Sequence, residues 1–393
     1  MINDAMYQLG AKRSCIRELF EYGLIMAQKV GKENVFDYSL GNPSVPAPDG
    51  VNRSIESLTE TESSLSLHGY TPAGGCGEVR AAVAAELTER FHMPIRPDNL
   101  FFTCGAAPAL VSTFRALAVA SAEIVAIAPY FPEYPVFVAS SGAKLVTVPA
   151  DLERFQIRMD ELEKRITQHT QGVIVNSPNN PSGAVYSRET LTALAALLTE
   201  KSRAYGHPIY IISDEPYREL VYDGVEVPFL PAIYPNTVVC YSYSKSLSLP
   251  GERIGYVLVP DWGEEGPRVM AAVMGAARAS GHVCAPSLLQ KVISRCTRLR
   301  PDLNAYDRSR LTLYRALTEY GYSCVRPEGA FYLFVRAPGG DAAAFSERAK
   351  ERNLLIVPGN DFGCPEYFRL STCVSYDMIL RSLPVFKELI EAE

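Results

Sequence analysis

Between residues 99 and 259 the chain alternates short apolar, β-rich runs with amphipathic stretches. The runs at 99–103, 124–128, 144–148, 172–175, 209–213, 237–241 and 254–259 are mostly apolar throughout rather than alternating, the pattern of strands covered on both faces. Between them, segments such as 106–120 and 189–204 repeat apolar residues at helical spacing. The combination predicts an α/β fold, with a mostly parallel seven-stranded sheet covered by helices and ligands gathered at the carboxyl ends of its strands. Upstream, Val79, Val83, Leu87 and Phe91 mark a helix, while residues 1–37 read as an arm with one amphipathic helix (Ile16, Leu19, Phe20, Leu24, Ile25) that needs a surface to pack on. Beyond about residue 285 the pattern changes. One long helical stretch from Ser287 to about Tyr320 precedes β-like runs around Tyr322–Val325, Phe331–Val335, Leu354–Val357 and Tyr367–Ser371, with helices at 341–352 and 376–391. This reads as a smaller α+β domain. The expected division is 1–45 for the arm and part of the small domain, 46–285 for a large domain and 286–393 for the small one, with a shared cleft.

Composition narrows the function. A chain of 393 residues, 47% hydrophobic and 21% charged, exceeds the ~250–300 residues at which one core stops growing. Its net charge of −6, without a Lys/Arg run, argues against nucleic acid as the main partner. Nine cysteines stand singly at 15, 76, 104, 240, 284, 296, 324, 364 and 373, an odd number without a CxxC pair that suits reduced thiols. No apolar leader opens the chain, and no segment reaches the ~18 consecutive apolar residues of a membrane span. A soluble cytoplasmic protein with small polar or anionic ligands is expected.

The strand ends carry the candidate chemistry. Val238 to Ser246 sets Lys245 where an apolar strand gives way to a hydroxyl-rich loop bearing Ser242, Ser244 and Ser246. A lysine amine becomes nucleophilic when desolvation and a nearby cation, here Arg253, lower its pKa; the plain alternative is a solvated lysine at a strand end. Run 99–103 opens into Gly105-Ala106-Ala107, where small residues start a helix whose free N–H groups can hold an anion. Phe131, in Pro129-Tyr130-Phe131-Pro132, can stack on a planar ring or simply fill the core. Run 172–175 leads into Asn176-Ser177-Pro178-Asn179-Asn180-Pro181-Ser182-Gly183, a rigid loop in which the Asn180 amide can donate to a phenolate or a carboxylate. Asp214-Glu215-Pro216-Tyr217 ends a buried strand with a carboxylate that needs a cation. Read blandly, it is a metal ligand or a helix start, and no histidine lies nearby to support metal.

Ser242-Tyr243-Ser244-Lys245 followed by Arg253-Ile254-Gly255-Tyr256 is similar to the cofactor-lysine signature of the class I/II pyridoxal-phosphate aminotransferases. Asn180-Pro181-Ser182-Gly183 resembles that family's Asn-Pro-Thr-Gly, with serine for threonine, and Asp214-Glu215-Pro216-Tyr217 its Asp-Glu-x-Tyr. The matched landmarks run from about residue 38 to 371. The resemblance implies a fold-type-I enzyme with pyridoxal 5'-phosphate as cofactor and no metal. Lys245 would hold the cofactor as an aldimine and then shuttle the substrate proton, while Ser242, Ser244, Arg253 and the Gly105-Ala106-Ala107 turn bind the phosphate. Phe131 would lie against the pyridine ring, Asp214 would pair with its nitrogen, and Asn180 and Tyr217 would face its phenolic oxygen. Arg369, with Asn180 and the Gly41 backbone, would hold the substrate carboxylate. Tyr70 resembles the tyrosine that reaches the phosphate bound in the neighbouring subunit, which implies a homodimer with shared active sites. The implied reaction moves an amino group from an L-amino acid to a 2-oxo acid such as 2-oxoglutarate. A β C–S lyase or amino-acid decarboxylase on the same scaffold, or a non-catalytic binding module, are the alternatives. The donor stays open: Ala107 stands where some aspartate-accepting relatives carry a lysine, and Arg278 lies near the region where others place a distal-carboxylate arginine.

Overall fold

The computed structural model describes residues 1–11, 14–263 and 265–392. Its strands are β1 (Phe36–Asp37), β2 (Leu100–Thr103), β3 (Glu123–Ile127), β4 (Lys144–Val148), β5 (Thr170–Asn176), β6 (Tyr210–Asp214), β7 (Thr237–Ser242), β8 (Gly255–Leu258), β9 (Tyr332–Arg336), β10 (Leu354–Leu355), β11 (Val357–Pro358) and β12 (Tyr367–Ser371). All seven runs of the central region join one sheet in the order β2-β8-β7-β6-β5-β3-β4. It is parallel except for β8, which runs antiparallel to β2 and β7. Successive residues of a strand face opposite sides, and both sides are filled. Ile124, Ala126, Ile174, Ile212 and Val238 pack among the residues of helices Ala106–Leu117 and Gly266–Ala279. Val125, Val173, Val175 and Ile211 pack with Leu191, Leu194 and Leu198 of helix Arg188–Tyr205. Each such Val, Leu or Ile side chain, fully buried, contributes roughly 1.5–3 kcal/mol.

The smaller body pairs β11-β12-β9 antiparallel under helices Leu303–Tyr320, Ala342–Lys350 and Tyr376–Glu391. Leu313, Leu317, Leu333, Phe345, Phe368, Leu370 and Phe386 share its core. Its helices begin where short polar side chains accept the free N–H groups: Asp302 from Asn304 and Ala305 at 3.0 and 3.3 Å, Asp341 from Ala344 at 3.0 Å and Ser375 from Met378 at 3.2 Å. The two bodies are stitched at Gly183, whose carbonyl accepts from Glu328 and Gly329 N–H at 2.9 and 2.8 Å. Its φ of +70° and the Pro327 ring where a Cβ would project both require glycine.

Several elements differ from the sequence pattern, among them the run Leu354–Val357, which is divided between β10 and β11 in separate sheets. The single helix expected over Ser287–Tyr320 is two, Ser287–Cys296 and Leu303–Tyr320, because Pro301 lacks an N–H and restricts the residue before it. The first packs on helices Asp49–Thr61 and Gly77–Phe91, the second on Tyr376–Glu391. The run Tyr322–Val325 is no strand but a single bridge between Cys324 and Val335, since Gly321 still caps the preceding helix and Pro327 follows closely. The arm holds two helices, Asp4–Ala11 and Cys15–Val30. The second has a seat on its own chain: Leu19 packs with Phe334, Val357 and Phe362, and Gly23 leaves room for Leu355, whose Cδ1 would stand 2.8 Å from a Cβ. Helix Asp4–Ala11 buries no residue. Among the described residues no helix is long and apolar enough to cross a membrane.

Candidate active site

The carboxyl ends of β5, β6 and β7 open into a cavity of about 200 Å³. β7 is buried to its last residue, Ser242, whose hydroxyl accepts from Ser244 N–H at 3.1 Å and starts a helical turn, Tyr243–Ser246. The expected loop is therefore one turn of helix, and it aims Lys245 into the cavity. The Lys245 amine donates to the Gly41 carbonyl and lies 5.5 Å from the Phe331 ring centroid. Burial pulls its pKa down to about 8; the neighbouring Cys373 opposes that shift, and Arg369 and Arg253 add to it.

Arg253, in a left-handed conformation with φ 52°, donates to Ser244 Oγ at 3.3 Å and to the Pro250 carbonyl at 3.0 Å. Gly105, with φ +93°, precedes helix Ala106–Leu117, and a Cβ there would come within 2.8 Å of the Arg253 guanidinium. The helix start, the arginine and the hydroxyls of Ser242 and Ser244 converge, and a helix N-terminus beside a cation suits an anion.

Asp214, the last residue of β6, is 4% exposed. Tyr134 donates to its Oδ2 at 2.5 Å, and its Oδ1 has no partner. Burial raises the carboxyl to about 7, against the Tyr134 hydrogen bond that lowers it, and Glu215 adds to the rise. Glu215 itself turns away, accepting from Ser213 at 2.5 Å and paired with buried Arg218. An orphaned carboxylate oxygen facing a cavity is stable as an anion only beside a positive partner.

Arg369, on β12 and 2% exposed, donates to Asn180 Oδ1 at 3.1 Å and to the Ser39 carbonyl at 2.6 Å, while its Nε is buried without a partner. It lies between the rings of Tyr332 and Phe362, with centroids at 4.6 and 5.1 Å. Asn180 is held by its N–H to Asn176 Oδ1 at 2.8 Å, and the Asn176 amide donates to the Asp214 carbonyl at 2.9 Å. The Ser182 hydroxyl donates to Asn179 at 2.7 Å and so serves the loop.

Of the residues singled out from sequence, Ala106, Ala107, Phe131, Asn180, Asp214, Tyr217, Ser242, Ser244, Lys245 and Arg253 line the cavity. Gly41, Gly105 and Arg369 touch those that do. Tyr70 does not join them: it is 90% exposed, in the loop after helix Ser64–His68. Arg278 is exposed on helix Gly266–Ala279 and is not part of the lining. Sequence reasoning gave no site role to Asn176, Tyr134 or Tyr332. Asn176 ends an apolar run, which is a usable signal; the other two become visible only through their partners Asp214 and Tyr217. The lowered pKa gives a test. In the unliganded chain, acylation of Lys245 by acetic anhydride, followed by peptide mapping over a pH series, should reach half its maximal rate near pH 8; a midpoint close to the ordinary 10.5 contradicts the site's electrostatics.

Comparison with known proteins bears on this arrangement. Residues 33–383 match the family model for aminotransferase class I and II. The chain is 29% identical over 374 residues to a probable aspartate/prephenate aminotransferase of Aquifex aeolicus, covering 91% of each chain. It is 28% identical to aromatic-amino-acid aminotransferase 2 of Thermococcus litoralis, covering 96% of this chain and 95% of the other. Among solved structures, an amino transferase from Eubacterium rectale superposes with a TM-score of 0.98 at 56% identity, covering 100% of this chain and 99% of that one. Aspartate aminotransferase from Thermus thermophilus with maleate gives 0.85 at 27% identity, covering 98% of each. With the fold, the lysine-bearing cavity and these likenesses together, the chain belongs to the aminotransferase class I and II family and is a pyridoxal-phosphate-dependent aminotransferase.

Proposed function

We propose that this aminotransferase moves an amino group from a neutral, preferably aromatic L-amino acid to 2-oxoglutarate, with Lys245 and Asp214 at the centre of its site. The observation that carries this reading is the joining, in one cavity, of a lysine amine lowered to about 8 and a buried carboxylate with one unpartnered oxygen. These residues fit pyridoxal phosphate. The free Oδ1 of Asp214 offers its charge to a protonated ring nitrogen, Phe131 offers a flat face, and the helix start at Ala106 with Arg253, Ser242 and Ser244 suits a phosphate. When bound, the cofactor supplies an electron sink for the pair left on the donor α-carbon.

The remaining work falls to this chain's side chains. Lys245 Nζ anchors the cofactor and, once released, moves the proton at the donor α-carbon. Asp214 holds the proton at the ring nitrogen, with Tyr134 fixing its other oxygen. Tyr217 and the Asn180 amide, both in the cavity lining, would bind the cofactor's phenolic oxygen. Arg369, with a free Nε, and Asn180 hold the donor carboxylate, beside the Gly41 backbone. Transamination, rather than C–S cleavage or decarboxylation, is also the chemistry in the relatives' names. Those names include both aspartate and aromatic donors. Tyr217 in the cavity lining, with Phe331 and Tyr332 packed behind it, and Ala107 in the same lining favour the aromatic class.

The same reading has a cytoplasmic homodimer. All nine cysteines are free, as a reducing compartment maintains them. Tyr70 and helix Asp4–Ala11, exposed on this chain, would meet a second copy, with Tyr70 reaching the phosphate held there. The domain division belongs to this reading too, with the second boundary moved from 285 to the turn at Pro301, because helix Ser287–Cys296 packs beside the large sheet.

Two outcomes are expected. With 2-oxoglutarate as acceptor, phenylalanine or tyrosine should show a higher kcat/KM than aspartate in a steady-state panel; a preference for aspartate overturns the donor class. Refolding Lys245→Ala together with Tyr70→Ala, each inactive alone, should restore part of the activity, because a hybrid dimer then has one site free of both lesions. Verified hybrids that stay inactive would show that Tyr70 does not serve a second copy.

A further inference from the structure

Tyr332 opens β9 and is 3% exposed. Its register partner on β12 is Ser371, two residues beyond Arg369, so the Tyr332 ring and the Arg369 side chain leave the small sheet on one face. The guanidinium carbon lies 4.6 Å from the ring centroid. At its other end the Tyr332 hydroxyl meets the Tyr217 hydroxyl at 3.0 Å, with the two rings edge to face at 5.7 Å. Tyr217 follows β6, on the large sheet, and lines the cavity. Gly41 completes the arrangement: a Cβ there would overlap the Tyr332 hydroxyl, so the glycine keeps that hydroxyl in place while its carbonyl receives the Lys245 amine. Phe331 packs on Tyr332 at 5.0 Å and on Tyr217 at 5.5 Å, leaving the pair little room to turn.

We propose that Tyr332 is a positioning residue for transamination. Its hydroxyl donates to Tyr217 and directs the Tyr217 proton into the cavity, and its ring seats Arg369, so that docking of the donor carboxylate reaches the cofactor's phenolic oxygen through Tyr332 and Tyr217 as well as through Asn180. The inference rests on the roles of Tyr217 and Arg369 given above. Its physical basis is that two facing hydroxyls share one proton between them. If Tyr332 donates, the Tyr217 proton is left for an acceptor in the cavity, and each bond of such a chain strengthens the next.

The test uses the cofactor-loaded enzyme and the pH midpoint of its visible absorbance change, with and without saturating 3-phenylpropionate, a carboxylate that has no amine to react. Tyr217→Phe should raise the midpoint, because a donor to the phenolic oxygen is lost. Tyr332→Phe keeps its ring over Arg369 and should raise the midpoint in the same direction. It should also reduce the further shift that 3-phenylpropionate produces in the wild type, leaving the part carried by Asn180, and lower kcat about three- to tenfold, the range of one net hydrogen bond, with KM changed less. Added to Tyr217→Phe, it should change nothing more. Gly41→Ala, which displaces the hydroxyl while leaving Tyr332 unsubstituted, should shift the midpoint the same way, and Tyr332→Phe added to it should shift the midpoint no further. If Tyr217→Phe moves the midpoint and Tyr332→Phe does not, the inference falls and the cofactor reading stands. If neither moves it, both fall. An equal effect of Tyr332→Phe with and without Tyr217 would show that it acts by another route, and likewise overturns the inference.

Discussion

A buried carboxylate with only half of its oxygens satisfied organises this molecule. Asp214 ends a strand whose preceding residues are apolar or small, and the only side-chain bond it accepts among the described residues comes from Tyr134. Burial has pushed its pKa to about 7, so the unliganded fold holds a group close to neutralising itself. Such a site gains most from a cationic ligand seated at Oδ1. The surrounding polar bonds keep that position open. Asn176 ties the Asp214 backbone to Asn180, and Glu215, the adjacent carboxylate, is drawn away by Ser213 and Arg218.

The second constraint is that the cavity, whose lining comes from the large sheet and its loops, is tied to the small sheet. Segment 38–41 runs beside β12: Ser371 N–H donates to the Tyr38 carbonyl at 3.0 Å, Arg369 to that of Ser39, and Lys245 to that of Gly41. A lysine from the large sheet and an arginine from the small one therefore share a short stretch of backbone. Together with the Gly183 contacts to 328–329, this fixes their separation without a covalent link. Movement of the small sheet would be felt at Lys245 through three residues of chain.

Much of this was legible in the sequence for definite reasons. The seven central strands read correctly because a parallel sheet buried on both faces needs runs such as Ile211-Ile212 and Val238-Val239 that are apolar at every position. Lys245, Asp214 and Asn180 stood out because they follow such runs, where ligands gather, and, with Arg253, because their motifs resemble those of the aminotransferase family. What stayed hidden depends on distant partners. Tyr134 reads as one more aromatic at a helix start until Asp214, 80 residues away, is beside it. Tyr332 is one residue of a β-like run until Tyr217, 115 residues away, meets its hydroxyl. The overlong helix was a local misreading, since periodicity continued across Pro301 while the backbone could not. The arm helix read as homeless because its partners, Leu355 and Phe334, lie in the last part of the chain.

The central claim is that Asp214 is a charge held ready for a cationic ligand, and its linkage to stability tests it. The folded pKa, about 7, lies above the ordinary value of 3.8. The folded state therefore keeps a proton that the unfolded chain releases, and Asp214 favours folding below about pH 4 and loses that advantage as pH rises toward 7. Thermal unfolding of wild type and Asp214→Asn should be compared across this range, with and without cofactor. Cofactor-free Asp214→Asn should be the more stable protein at pH 8, by about 1–3 kcal/mol, the cost of an unsatisfied buried group. That gap should narrow as pH falls below 7 and close by about pH 4, and bound cofactor should stabilise the wild type more than the variant. A cofactor-free variant less stable than wild type at pH 8, by an amount independent of pH, would contradict the account.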